Sequence, residues 1–169
     1  MTAHRISKEI VGQNELVDIG KRATGVPAKI DTGAYTSAIW ASNIKVSRDG
    51  VLSFSLFGPG SEHYNGKVYK RTDFTVAETL SSSGHAEIRY RVRLPLTIAG
   101  RKIRVLFSLA DRSNQRHPIL IGRRTIKNRF VVDVTRKSYD YVTGTNKLMR
   151  KLEKDPYKFH KKYVKEKKS

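Results

Sequence analysis

The chain has 169 residues, 38% of them apolar and 29% charged, a balance that fits one folded domain with a terminal extension rather than a disordered chain. Lys and Arg number 34 against 15 Asp and Glu, a formal charge of +19. There is no Cys, which excludes a disulfide scaffold, a thiol nucleophile, an iron–sulfur cluster and Cys-ligated zinc. The apolar runs are only a few residues long and Met1 to Ile10 has no apolar signal core, so the expectation is a cytoplasmic protein with no membrane partner.

In chain order, Val26 to Ile30 reads as a short strand. Val51 to Phe57 is a second, entered through Asp49-Gly50 and left through Gly58-Pro59-Gly60. Lys67 to Lys70 is a third. Ile88, Tyr90, Val92 and Leu94 alternate with Arg89, Arg91 and Arg93, which predicts a half-buried strand with a basic outer face. Ile103, Val105, Phe107 and Leu109 repeat the pattern, with a turn at Gly100 between the two. His117 to Arg123 is an apolar strand ending in Gly122. Gly122 to Asn128 predicts a short helical turn, and Phe130 to Val134 a last strand. Turn signals every eight to fifteen residues predict a small sandwich or barrel.

The tail from Lys147 to Ser169 holds ten Lys or Arg against three Asp or Glu, a net of +7. Leu148, Met149 and Leu152 predict a short amphipathic helix over Lys147 to Lys154, ended by Pro156. Tyr157, Phe159 and Tyr163 stand between the lysines. Such a tail is either a solvated terminus or a binder of polyanions. The expected organisation is an arm at 1–8, a domain at 9–137 and a basic extension at 138–169.

The sharpest feature is Lys29-Ile30-Asp31-Thr32-Gly33-Ala34-Tyr35-Thr36-Ser37. A carboxylate at the end of a buried strand is costly unless hydrogen-bonded or functional. Gly33 lets the chain turn beside it, and Thr32, Thr36 and Ser37 offer hydroxyls to lock the turn. Alone, Asp-Thr-Gly is a weak signal. It gains weight from Ile119-Leu120-Ile121-Gly122-Arg123 near the end of the domain, and from Ser108-Leu109-Ala110-Asp111-Arg112.

This set resembles the retropepsin-like aspartic proteases. It is most similar to the bacterial branch that carries the label ATP-dependent zinc protease (RimK-associated type), which shares Ala28 to Ala34 and a stretch like Ser82-Ser83-Gly84-His85. The resemblance implies an all-β fold, a small closed barrel with the short helical tail behind it. It implies Asp31 as the catalytic residue, with Thr32 and Gly33 holding the loop. Gly33, Ala34 and Tyr35 would meet the substrate, together with Ser83, Gly84 and His85 of a flap at Ser81 to His85. Ile119, Leu120, Ile121 and Gly122 would pack beneath the loop. Tyr35 departs from the acidic residue common after Asp-Thr-Gly-Ala.

Peptide hydrolysis without metal needs one base and one acid, and two carboxylates sharing a proton supply both. Only one Asp-Thr-Gly is present, so the second carboxylate must come from a second chain, and a homodimer is expected. The zinc label finds no support. There is no His-Glu-x-x-His, and His4, His63, His85, His117 and His160 are scattered. No phosphate loop ending in Lys-Ser/Thr is present. The expectation is a peptidase without metal or cofactor, acting on peptides or proteins, with acidic or glutamate-rich ones favoured by the charge. The competing expectation is a non-catalytic barrel that binds RNA or another polyanion through Arg89, Arg91, Arg93, Arg101, Lys102 and Arg104.

Overall fold

The structure, a computed structural model, describes residues 7–80, 86–140, 154–158 and 160–161. The chain divides into two compact units, Met1–Tyr139 and Asp140–Ser169. The first begins with β1 (Glu9–Val11), β2 (Asn14–Val17), β3 (Val26–Asp31), β4 (Ser37–Val46) and β5 (Leu52–Leu56). It continues through β6 (Val68–Arg71), β7 (Phe74–Leu80), β8 (Ala86–Ile98) and β9 (Arg101–Ala110). It ends with β10 (Ile119–Gly122), the short helix α1 (Arg123–Ile126) and β11 (Phe130–Val132).

The β8–β9 hairpin shows how local sequence sets local structure. Val92, Leu94, Leu96 and Ile98 are essentially fully buried, as period two requires. They stand opposite Phe107, Val105, Ile103 and Arg101 in register. The two residues of the turn, Ala99 and Gly100, both have positive φ, at 48° and 74°. That backbone twists the same way as the strands it joins, which is why two-residue hairpins favour it.

The alternation changes meaning at the far end of β8. Ile88 is 67% exposed, whereas the Arg89 side chain is only 25% exposed and Arg91 Nε is buried. Over 89–91 the arginine face is half-buried rather than turned fully outward, while Tyr90 on the other face packs against the core. Register explains where the arginine face lies. Arg91 pairs with Ser108, Ser108 with Ala38, Ala38 with Leu120 and Leu120 with Lys29. Paired residues share a face of a sheet, so one row runs from Arg91 to Lys29.

The main sheet has nine strands, with the path β2-β3-β10-β4-β9-β8-β7 and with β5 and β6 branching from β4. A register shift between Ser42 and Lys45 lets β4 pair with β9 along its first half and with β5 along its second. The expected all-β class holds, but the closed barrel is corrected to an open sheet. Its path ends at β2 and β7, and the crossing from β2 to β8 is a single bridge. That bridge consists of two backbone hydrogen bonds between Asp18 and Thr97, too few to extend into a ladder. β1 and β11 form a separate parallel ribbon. One core cluster includes Phe54, Phe57, Phe107, Ile39, Ile119 and Ile121, all at 0% exposure.

In the second unit, Asp155 Oδ1 accepts the Lys158 N–H at 3.0 Å, and the backbone is helical at 156–158. Pro156 therefore begins a helical turn, a place proline tolerates because the first amide has no intrahelical partner. Of the helix expected over Lys147 to Lys154, only Lys154 lies within the described residues. No described helix is long and apolar enough to cross a membrane.

Candidate active site

Asp31 is the last residue of β3, and β10 places Gly122 beside it in parallel register. β10 also pairs antiparallel with β4, Leu120 with Ala38 and Ile119 with Ile39. It is thus inserted between the two strands that flank the loop from Thr32 to Thr36. Both of its outer neighbours are required to hold that loop, and they come from one contiguous segment of sequence.

The loop is tied at its base by four bonds. The Arg123 N–H donates to Ala34 O at 2.8 Å and the Arg124 N–H to Tyr35 O at 3.0 Å. The Gly122 N–H donates to Ser37 Oγ at 3.1 Å. Ser37 Oγ and Thr125 Oγ1 share a hydrogen bond of 2.8 Å. Ser37 is 1% exposed and Thr125 6%, so both are buried. We expect Ser37→Ala to cost about 1–3 kcal/mol, the loss typical of orphaning a buried donor. Urea denaturation would measure it, and an unchanged midpoint would show that the hydroxyl pair does not brace the loop.

The carboxylate itself is held by its own turn. Asp31 Oδ1 accepts the Gly33 N–H at 3.0 Å and the Ala34 N–H at 3.1 Å. Its other oxygen, Oδ2, faces Lys29 Nζ at 3.3 Å. Burial pushes the carboxyl pKa up, but the Ala34 N–H, the Lys29 ammonium and the Gly33 N–H outweigh it, so Asp31 ionises below its ordinary 3.8. A depressed carboxyl stabilises the fold above its unfolded pKa, and that contribution is lost as pH falls through the folded value. Lys29→Met should therefore move the Asp31 titration to higher pH, read by carboxyl carbon NMR. An unshifted titration would show that the ammonium does not act on Asp31.

Further cations surround this group. Arg112 is half-buried and its Nε donates to His117 O at 3.0 Å. Burial and Arg89 lower its pKa, while Asp31 raises it, which places Arg112 within electrostatic reach of both. The His117 pKa is lowered by burial and by Arg116, Lys29 and Arg112, so the imidazole is neutral at pH 7.

Of the other residues singled out from sequence, Thr32 and Gly33 are exposed, Ala34 is half-buried and Tyr35 is 62% exposed. Ile119, Ile121 and Gly122 are buried, while Leu120 is half-buried on the opposite face. Ser83, Gly84 and His85 lie outside the described residues, between the paired ends of β7 and β8 at Leu80 and Ala86. Lys29, Arg112 and Thr125 were not singled out from sequence as site residues. Lys29 and Arg112 stand inside the recognised motifs, and nothing local marks Thr125. A groove of about 610 Å³, lined by Trp40, Ile44, Pro59, Tyr90 and Asp111 among others, lies elsewhere, and Asp31 is not part of its lining. Among the described residues, no three His, Asp or Glu side chains form a group that could hold a metal ion.

A strand-end Asp-Thr-Gly loop with a late Ile-Gly strand threaded beside it is the arrangement of the retropepsin-like class. Residues 10–141 match the model of the RimB-like family, described as retropepsin-like aspartic endopeptidase RimB, and the chain belongs to that family. It is also 28% identical over 134 residues to a probable alpha-L-glutamate ligase of Desulfotalea psychrophila, covering 76% of this chain and 28% of that protein. A probable alpha-L-glutamate ligase of Shewanella pealeana is 31% identical over 136 residues, covering 75% and 29%. The chain thus matches under a third of the length of these curated relatives. Among solved structures, a Legionella pneumophila protein of unknown function aligns with a TM-score of 0.61 at 20% identity, covering 78% of this chain and 97% of that one. That likeness bears on the fold alone.

Proposed function

We propose that the protein is an aspartic peptidase that acts as a homodimer on acidic peptides. The observation that carries this is Asp31 at the tip of β3, presented by two backbone amides on a loop braced from below. One chain supplies one such carboxylate, so Asp31 of a second copy completes the pair. Ile10 and Val131, register partners on the β1–β11 ribbon, are 47% and 50% exposed. They give a second copy an apolar pair to cover and free strand edges to extend.

In the pair, one carboxylate takes a proton from a water molecule, whose oxygen adds to the peptide carbonyl carbon. The protonated partner carboxyl donates to the carbonyl oxygen. Collapse of the tetrahedral species breaks the C–N bond as the amine takes a proton from the carboxyl that deprotonated the water, while one diol hydroxyl returns its proton to the partner carboxylate, which restores the shared proton. The amides of Gly33 and Ala34 hold Oδ1 in position throughout, which spares the carboxylate a search over rotamers. Lys29 and Arg112 set positive charge beside Asp31, and this supports acidic side chains as the groups the site recognises. The glutamate-ligase name of the partial relatives is consistent with a substrate rich in glutamate, and joins this reading only as support.

Mass spectrometry of a library of acidic and neutral peptides, with and without a chelator, tests the reading. Cleavage of acidic members that survives the chelator and fades with salt is expected. Cleavage lost only with chelator would overturn the metal-free mechanism. No cleavage, with salt-sensitive RNA binding instead, would favour a non-catalytic binder using the exposed Arg93 and Arg104 of β8 and β9.

A further inference from the structure

A second basic feature lies behind the catalytic loop, and the peptidase reading does not use it. A cavity of about 170 Å³ is lined by Arg93, Arg104, Arg124 and Arg129 together with Ser37 and Thr125. None of the four arginines makes an ion pair with a carboxylate among the described residues. Arg129 Nη1 reaches only backbone, Thr125 O at 3.3 Å and Arg124 O at 3.4 Å. No carboxylate among the described residues competes for these four guanidinium groups, so an anion joining them would gain charge-assisted contacts.

The floor of the cavity strengthens the case. Ser37 and Thr125 carry two hydroxyl protons, and their mutual bond uses one. Ser37 Oγ already accepts the Gly122 N–H. Whichever hydroxyl donates to the other, the second proton has no acceptor among the described residues. An oxygen of a bound anion would supply it.

We propose that this cavity is an oxyanion site for a phosphate group, free or carried as a phosphomonoester. The arginines lining the cavity are contributed by four separate segments, β8, β9, α1 and the following loop. That arrangement suits a tetrahedral dianion with oxygens on all sides better than a planar carboxylate, which one arginine fork satisfies. Because the same two hydroxyls brace Gly122, an anion seated there would also tighten the base of the catalytic loop. The inference stands whether or not the protein is a peptidase.

The test is calorimetric titration of the full chain with inorganic phosphate, with chloride holding ionic strength constant. Arg104 and Arg124 are exposed, so Arg104→Gln/Arg124→Gln should fold with a melting temperature near wild type in chloride alone. Binding should weaken about tenfold or more in this variant, the loss of charge-assisted contacts. Lys21→Gln/Arg48→Gln removes the same charge away from the cavity and should leave binding nearly unchanged. Equal weakening in both variants would reduce the site to general field attraction and overturn it. So would acetate binding as tightly as phosphate, or no heat from phosphate with the wild-type chain. Adenosine monophosphate distinguishes the sources. If it binds more tightly with the same variant dependence, the phosphomonoester is the ligand, and if it binds less tightly, free phosphate is.

Discussion

Asp31→Asn should abolish peptide hydrolysis, lowering kcat/KM by about 10³-fold or more, because it removes both the base and the acid of the reaction. The amide keeps an oxygen where Oδ1 accepts the Gly33 and Ala34 amides, so the turn should persist and only the small contribution of the half-exposed Lys29 ion pair should be lost. Asp31→Ala should lose the same activity and in addition about 1 kcal/mol of stability, the usual worth of such hydrogen bonds. Agreement of the two variants in activity and their difference in stability would separate chemistry from folding. Mixing adds a test of the shared pair. With free exchange, an equal mixture of wild type and Asp31→Asn leaves only one wild-type dimer in about four. Activity should then fall to about a quarter of that of the same total of wild-type protein, against about half for independent monomers. Full activity from a strict monomer in sedimentation would sink the shared pair.

The largest expected effect on stability is at Gly122. A Cβ there would lie 2.5 Å from Thr36 O and 3.0 Å from Ala34 O. Both are backbone atoms, and both belong to the loop that the residues after Gly122 tie down. Neither can swing away as a side-chain end could. Gly122→Ala should cost about 3 kcal/mol or more, at the high end of overpacking. The damage should be local before it is global. Hydrogen exchange of the Arg123 and Arg124 amides, which bond Ala34 O and Tyr35 O, should speed up most. Gly33 offers a contrast, since a Cβ there would meet only Asp31 Oδ1 at 3.3 Å, and Gly33→Ala should be much milder. Equal stability of the two variants in urea would refute the close-packing account.

Much of the fold was legible locally. The hairpin of β8 and β9 announced itself through alternation and Gly100, β5, β10, α1 and β11 fall within segments read from the sequence, and β3 and β6 each run one residue past theirs, to Asp31 and Arg71. β4 escaped because Ser37, Ala38, Ile39 and Ala41 are all buried. A strand covered on both faces shows no alternation to read. β7 escaped because Phe74 to Leu80 mixes Thr, Val, Ala and Glu with no sustained apolar face, and only its register with β8 makes it a strand. The arginines of β8 are less exposed at 89 and 91 than an outer face suggests, because period two says which residues share a face and not how far that face is covered.

The sequence by itself determined the family. A lone Asp-Thr-Gly-Ala at the end of a strand, with a late Ile-Leu-Ile-Gly, sufficed to place the family and the candidate loop. Those are properties of adjacent residues. Only the tertiary structure decided how the loop is held and what surrounds it. Ser37 and Gly122 are 85 residues apart in the chain, and Ser37 and Thr125 are 88 apart. No local spacing encodes such contacts. They arise because β10 inserts between β3 and β4 and carries its own helix start across the back of the loop. The same insertion puts Lys29 in one row with Arg91 and brings four arginines to a cavity that two hydroxyls line. Hydrophobic burial of Ile119 and Ile121 drives that insertion, and the placement of charge follows from it.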